Sequence, residues 1–122
     1  MFLGMKTVNV GDSRRVHLLP GMKEYVEVGQ EYKVYRGVDW DNGKYTLVFR
    51  FDDMAQKGEV FVKEYKIPAN KTIKVPPEVY TEMQGECDLV GMFDRIELVR
   101  SDCVDTPSLD DIEKLAKSLD LI

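Results

Sequence analysis

Apolar and polar residues alternate along most of the first hundred positions, the period-2 pattern of strands that bury one face. Eight stretches carry it: 6–10 (KTVNV), 14–19 (RRVHLL), 31–35 (EYKVY), 44–51 (KYTLVFRF), 59–67 (EVFVKEYKI), 71–75 (KTIKV), 87–92 (CDLVGM) and 95–99 (RIELV). They are rich in Val, Ile, Tyr and Phe and are separated by Gly, Asp, Asn and Pro, so the body is expected to be mainly β. The pair Asn42-Gly43 tolerates the positive φ angles of a tight hairpin turn, which predicts that 31–35 pairs with 44–51. Two short segments, 20–29 and 76–85, start at proline and stop at glycine, the asymmetry of a brief helix. The clearest helical period is in 106–122 (TPSLDDIEKLAKSLDLI). There Ser108 serves as N-cap with Asp111 three residues on, acids fill the first turn, and Leu109, Ile112, Leu115, Ala116 and Leu119 form one apolar stripe.

The chain also matches itself. A shift of 56 residues lays Leu19-Pro20 on Val75-Pro76, Gly29 on Gly85 and Val34 on Val90. The same order recurs on each side: strand, proline-started turn, glycine, strand, hairpin, strand. The first copy has the longer hairpin connection, RGVDWDNGK against GMFD. A unit of this size has too few strands to bury its own apolar faces, so the units are expected to pair.

The stretches 11–35 (GDSRRVHLLPGMKEYVEVGQEYKVY) and 75–99 (VPPEVYTEMQGECDLVGMFDRIELV) resemble the swapped-hairpin module of AbrB and MraZ type regulators: an apolar strand ending in Pro, a short helix, Gly, an apolar strand, a turn and a closing strand. Two tandem copies are similar to the MraZ arrangement in particular. The resemblance implies two swapped-hairpin-like repeats, 6–53 and 59–100, forming a small barrel, followed by the C-terminal α-helix 106–122. The alternative fold is a single small β-barrel without internal symmetry. In that family an Asp-x-x-Gly-Arg motif precedes the apolar strand. Here Asp12 stands in the aspartate place, Arg15 in the glycine place and Val16 in the arginine place, with Pro68, Lys71 and Thr72 at the corresponding positions of the second copy. Arg14, Arg15, Lys71 and Lys74 are then basic neighbours of the motif and the residues expected to face DNA phosphates.

Charge changes this picture in one respect. The formal net charge is −5, but residues 101–122 hold six acids and two lysines, a net of −4, which leaves the first hundred residues at −1. A nearly neutral body can carry a basic face, and Arg14 and Arg15 with Lys6, Lys23, Lys71 and Lys74 supply one. The competing reading of these residues is a charged strand edge protected against aggregation.

Other candidate chemistry is sparse. Asp39, Asp41 and Asn42 lack the spacing of a calcium loop, the glycine coming one position early and Arg50 standing where the bidentate glutamate belongs. His17 is the single histidine, with no serine or cysteine beside it. Cys87 and Cys103 match no CxxC pattern, so neither a disulfide framework nor a zinc site is indicated. Trp40, Tyr35 and Tyr45 form either a cross-strand cluster or a stacking surface. Asp52-Asp53 reads as a strand end and Asp110-Asp111 as a helix start. No run of 18 apolar residues occurs and the first ten residues lack the pattern of a signal peptide, which sets the expectation of a cytoplasmic protein.

The expected function is therefore a small DNA-binding transcriptional regulator with no cofactor, assembling as a dimer or larger. The alternative is a non-enzymatic protein-binding module, antitoxin-like or a viral accessory protein, that keeps the fold without DNA binding. Antitoxins of this fold class use acidic C-terminal extensions to hold their toxins. That precedent makes Leu109, Ile112, Leu115 and Leu119 the candidate partner-binding residues. An enzyme is disfavoured, because no nucleophile, base and orienting group fall at a recognisable spacing.

Overall fold

Each of the eight alternating stretches forms a strand in the computed structural model, which describes residues 2–100: β1 Gly4–Val10, β2 Arg15–His17, β3 Glu31–Arg36, β4 Thr46–Arg50, β5 Val60–Lys66, β6 Thr72–Lys74, β7 Gly85–Gly91 and β8 Arg95–Arg100. The protein is mainly β. Six strands make one antiparallel sheet in the order β1-β7-β8-β4-β3-β5, and β2 and β6 form a separate antiparallel ribbon. The proline-started segments are shorter than the sequence suggests. The first is a single turn, α1 Pro20–Lys23, and the second a 3-10 turn Pro77–Val79 running into α2 Tyr80–Met83.

The expected barrel is not closed: β1 and β5 end the sheet and do not pair with each other. The reason lies in β2 and β6. Each is only three residues long and follows a turn containing a positive-φ residue, Arg14 at 58° and Lys71 at 50°. These turns carry the chain away from β1 and β5, so two segments expected as staves of a barrel become a ribbon packed on the sheet. The helix expected at 106–122 lies outside the described residues, as do Cys103 and the candidate partner-binding residues Leu109, Ile112, Leu115 and Leu119.

The core sits between ribbon and sheet. Alternation along the ribbon sends Val16, Leu18, Ile73 and Val75 inward, where they meet Val34, Leu47, Phe49, Leu89, Ile96 and Leu98 of the sheet. The short turns add Met22, Val26, Val79 and Met83, all buried. The predicted hairpin forms, β3 pairing with β4. Its connection is longer than a two-residue turn: a 3-10 turn at Trp40–Asn42 precedes Gly43, which takes the positive φ of 83°. Trp40 is buried and packs edge-on against Tyr45 at 4.8 Å between ring centres, so this aromatic group stabilises the loop.

The pairing is reciprocal between the two halves of the chain. β1 pairs with β7 and β5 with β3, while β4 pairs with β8 and β2 with β6. The sheet order is the same from either end when β1 is matched to β5, β7 to β3 and β8 to β4. All of these pairs form within one chain. Matched by structure, Arg14 corresponds to Lys71, Val16 to Ile73, Leu18 to Val75 and Pro20 to Pro77, a shift one residue longer than the sequence match. In the following strands the shift falls, and the buried Tyr32 and Val34 correspond to Cys87 and Leu89.

Candidate nucleic-acid interface

On the polar face of the β2–β6 ribbon Arg15 and His17 are exposed, Lys74 is half-buried and Thr72 is buried. The register puts Arg15 directly opposite Lys74, and His17 opposite Thr72. Two cations face each other across an antiparallel pair, an arrangement that costs a few tenths of a kcal/mol to about 1 kcal/mol unless an anion screens it. Among the described residues neither side chain has a carboxylate partner. The Lys74 ammonium instead lies 5.9 Å from the centre of the Tyr65 ring, a cation–π contact. The Lys74 backbone N–H donates to the Tyr32 hydroxyl at 3.0 Å. Burial pushes that hydroxyl up to about 12, although the Lys74 amide pulls it down, so Tyr32 stays protonated at neutral pH.

Arg14 and Lys71, the other two residues expected to face DNA, are placed differently. Both occupy left-handed backbone, which costs a long side chain about 1 kcal/mol or more. Both reach across to the other half of the chain. Arg14 Nη1 donates to the Val75 carbonyl at 3.3 Å, and Lys71 Nζ to the Lys23 carbonyl at 3.0 Å. The glycine-like conformation of the first copy thus belongs to Arg14, one residue before the position the family pattern assigns. Arg14 and Lys71 flank the ribbon as cross-links between the halves, while Arg15 is exposed and Lys74 lies half-buried against the Tyr65 ring.

Sequence reasoning passed over two neighbours of this face. Lys66 ends β5 and is exposed, and Tyr65 beside it carries a hydroxyl closed off from solvent. Burial pushes the pKa of that hydroxyl up, the Arg14 guanidinium pulls it down, and the Glu78 carboxylate nearby adds to the rise. No hydrogen bond of acceptable geometry reaches the hydroxyl among the described residues. The two halves differ here: at the positions equivalent to Tyr65 and Lys66, β1 has Val8 and Asn9. Only the structural alignment brings that asymmetry out.

A second charged group sits at the far end of β4. The Arg50 side chain is 0% exposed and forks onto Glu59, itself 4% exposed, with Nε–Oε1 at 2.8 Å and Nη2–Oε2 at 3.0 Å. Its Nη1 also reaches Asp94 at 3.3 Å. The Gln56 amide donates to Glu59 Oε1 at 2.8 Å, which pins the 52–58 loop over the sheet. Burial acts to raise the Glu59 pKa, but the bonds from Arg50 and Gln56 outweigh it and hold the carboxyl below its ordinary range. Every oxygen of this group has a cation or an amide, so it is a structural clamp with no vacancy for a ligand. Asp53, one of the paired acids noted in the sequence, is held by Lys33 at 2.8 Å, and its neighbour Asp52 accepts from the Met54 amide at 3.1 Å. No helix among the described residues is long and apolar enough to cross a membrane. No protein-family model matches the chain, and no curated protein sequence matches it.

Proposed function

We propose that the protein is a small DNA-binding regulator of AbrB/MraZ-like type, built as two tandem swapped-hairpin repeats joined within one chain. The DNA phosphates would lie along the β2–β6 ribbon, contacted by Arg15 and Lys74 and flanked by Arg14 and Lys71. The observation that supports this reading is the Arg15–Lys74 pair: two like charges opposite one another in register, with no carboxylate partner to either among the described residues. Such a pair is stabilised by a polyanion, whose bound counterions are released on contact.

Binding of a random duplex, measured by fluorescence anisotropy, tests it. The expected result is about micromolar affinity at low salt that weakens steeply as salt rises. Replacing both residues, Arg15→Gln with Lys74→Gln, lowers the slope of log affinity against log salt by about two. Absence of binding at micromolar protein and low salt would sink the reading.

A second reading is a non-enzymatic protein-binding module. It is supported by the two sheet-end strands, where Met5, Val60 and Phe61 are exposed, Phe61 at 53%. Exposed apolar side chains on an unpaired strand edge suit strand addition by a partner or by a second copy. Light scattering of the full chain and of a chain ending at Arg100 gives the assembly size and shows whether 101–122 controls it.

A further inference from the structure

The two strands that end the sheet correspond to one another in the pairing of the halves, but they carry different charge. β1 has one charged residue, Lys6, whereas β5 has Lys63, Glu64 and Lys66 within four positions. Edge strands use such charges to deny pairing to passing strands. Those of β5 are of both signs, and the register with β3 orders them: Glu64 lies opposite Lys33 and Lys66 opposite Glu31. Glu31, Glu64 and Lys66 are exposed and Lys33 is half-buried. Among the described residues no strand pairs with the other side of β5. The sheet therefore ends on a carboxylate and an ammonium two residues apart, which the strand period places on the same face.

We infer that this edge takes a second copy of the chain, the two β5 strands running antiparallel about a two-fold axis at Tyr65. Such an axis, normal to the sheet, sets one residue of the strand opposite its own copy, so the registers open to a symmetric pair are few. An axis at Lys63 or at Lys66 opposes two lysines, and one at Glu64 opposes two glutamates, each of them unfavourable. At Tyr65 the like charges part. Glu64 then meets Lys66 of the second copy, and Lys66 meets its Glu64. The row across four strands reads Lys33, Glu64, Lys66, Glu31, alternating in sign from one molecule into the next, and the reverse row does the same. The charges that turn a foreign strand away thus fix one register for a copy of the same strand. β1, with one lysine and no acid, offers no such complementarity. A joint this short belongs with the weak interfaces that bury less than about 1,200 Å², so association in the micromolar range is expected. The inference rests on the strand-addition reading and deepens it by naming the partner; it is independent of DNA binding.

Sedimentation velocity of the full chain from about 1 to about 100 µM at low salt provides the test. The expected result is a monomer–dimer equilibrium that weakens as salt rises. Glu64→Lys and Lys66→Glu each bring like charges opposite one another twice across the axis, and each should weaken self-association about tenfold or more. Mixed in equal amounts, the two variants complement each other and should pair again with about the parent's affinity. That recovery guards against a folding defect, which mixing does not repair. Met5→Lys, at an exposed position of β1, should leave the equilibrium unchanged. A parent that stays monomeric at the highest concentration overturns the inference, as does a dimer that survives both β5 substitutions or a mixture that fails to recover. Failure of the wider reading looks different. A dimer broken by Met5→Lys and not by the β5 variants moves the joint to the other edge and keeps strand addition. A dimer indifferent to all three substitutions removes both.

Discussion

Arg50 and Arg15 are the same side chain in two opposite environments. Arg50 has no solvent exposure and gives three of its nitrogens to Glu59 and Asp94, while Arg15 is exposed on the ribbon and its register partner is another basic residue, Lys74. The first is neutralised inside the fold and the second is not. Charge at the β4 end of the sheet holds a loop in place, whereas Arg15 has no carboxylate partner among the described residues. Both lie on strands, and both would be counted alike in a tally of basic residues. Only the partners tell them apart.

Stability gives the sharpest test of this contrast. Arg50→Met leaves the Glu59 carboxylate buried and unpaired, which should cost about 3 kcal/mol, as for other buried pairs broken on one side. Arg50→Lys should recover little of it, because one ammonium cannot reproduce the two-pronged contact. Arg15→Met removes a like-charge opposition and should stay within about 0.5 kcal/mol of the parent, on either side. Urea midpoints for the three variants decide it. If Arg50→Met and Arg15→Met cost the same, the difference between the two environments is not energetic.

Acid should dissolve the clamp before it touches the ribbon. Burial pushes the Asp94 carboxyl up, but Arg95 and Arg50 together hold it below its usual value, as Arg50 and Gln56 hold Glu59. Groups whose pKa is depressed on folding stabilise fully above the unfolded carboxylate range, near pH ~4, and lose that contribution as pH falls through their folded values. The melting temperature should therefore fall on acidification below about pH 4.5, and Glu59→Gln should flatten the fall. Asp94 is half exposed, so its share is the smaller. A melting curve of Glu59→Gln with the same acid slope as the parent would place the titrating groups elsewhere.

Duplex affinity reads the other arm of the comparison. Lys33 is also a strand lysine, but its ammonium is bound to Asp53 at 2.8 Å. Lys33→Gln should leave duplex binding within about twofold, while Lys74→Gln lowers the salt slope by about one. Equal losses from the two would mean that the protein attracts DNA through its total charge and not through the ribbon.

Much of the fold was legible because strands that bury one face alternate in polarity, as β2, β7 and β8 do. The ribbon was not, since nothing in RRVHLL or KTIKV distinguishes a stave from a strand that leaves the sheet. That distinction rests on the turn before each strand, whose positive φ falls on Arg14 and Lys71, residues that do not advertise it as glycine would. The Arg50 clamp was hidden for a related reason. Arg50 ends a stretch that is buried on both faces, Leu47 to Arg50, and its partner comes nine residues later in a loop that no period marks. Of the candidate interface, Arg15 and Lys74 were named in the sequence from neighbouring charge, without their register across the ribbon. Tyr65 and Lys66 were passed over because β5 comes beside β6 of the ribbon only in the folded chain, where the Lys74 ammonium meets the Tyr65 ring.

The smallest effect concerns the two cross-links, and its sign is informative. Arg14 and Lys71 bear the cost of left-handed backbone and return a hydrogen bond to the opposite half of the chain. Glycine would relieve the strain but add unfolded-state entropy of about 0.5–1 kcal/mol, which blurs the result. Asparagine is the cleaner probe, because it tolerates left-handed backbone with little of that entropy and cannot reach the distant carbonyl. Relief of strain and loss of the hydrogen bond are each about 1 kcal/mol, so Arg14→Asn and Lys71→Asn should each change stability by less than about 0.5 kcal/mol. A loss above about 1.5 kcal/mol in either would make the cross-link part of what joins the halves. Near-neutral stability with a weaker hold on duplex DNA would mean instead that the side chain is kept at a strained position for its charge, which extends the ribbon of Arg15 and Lys74 by one residue at each end.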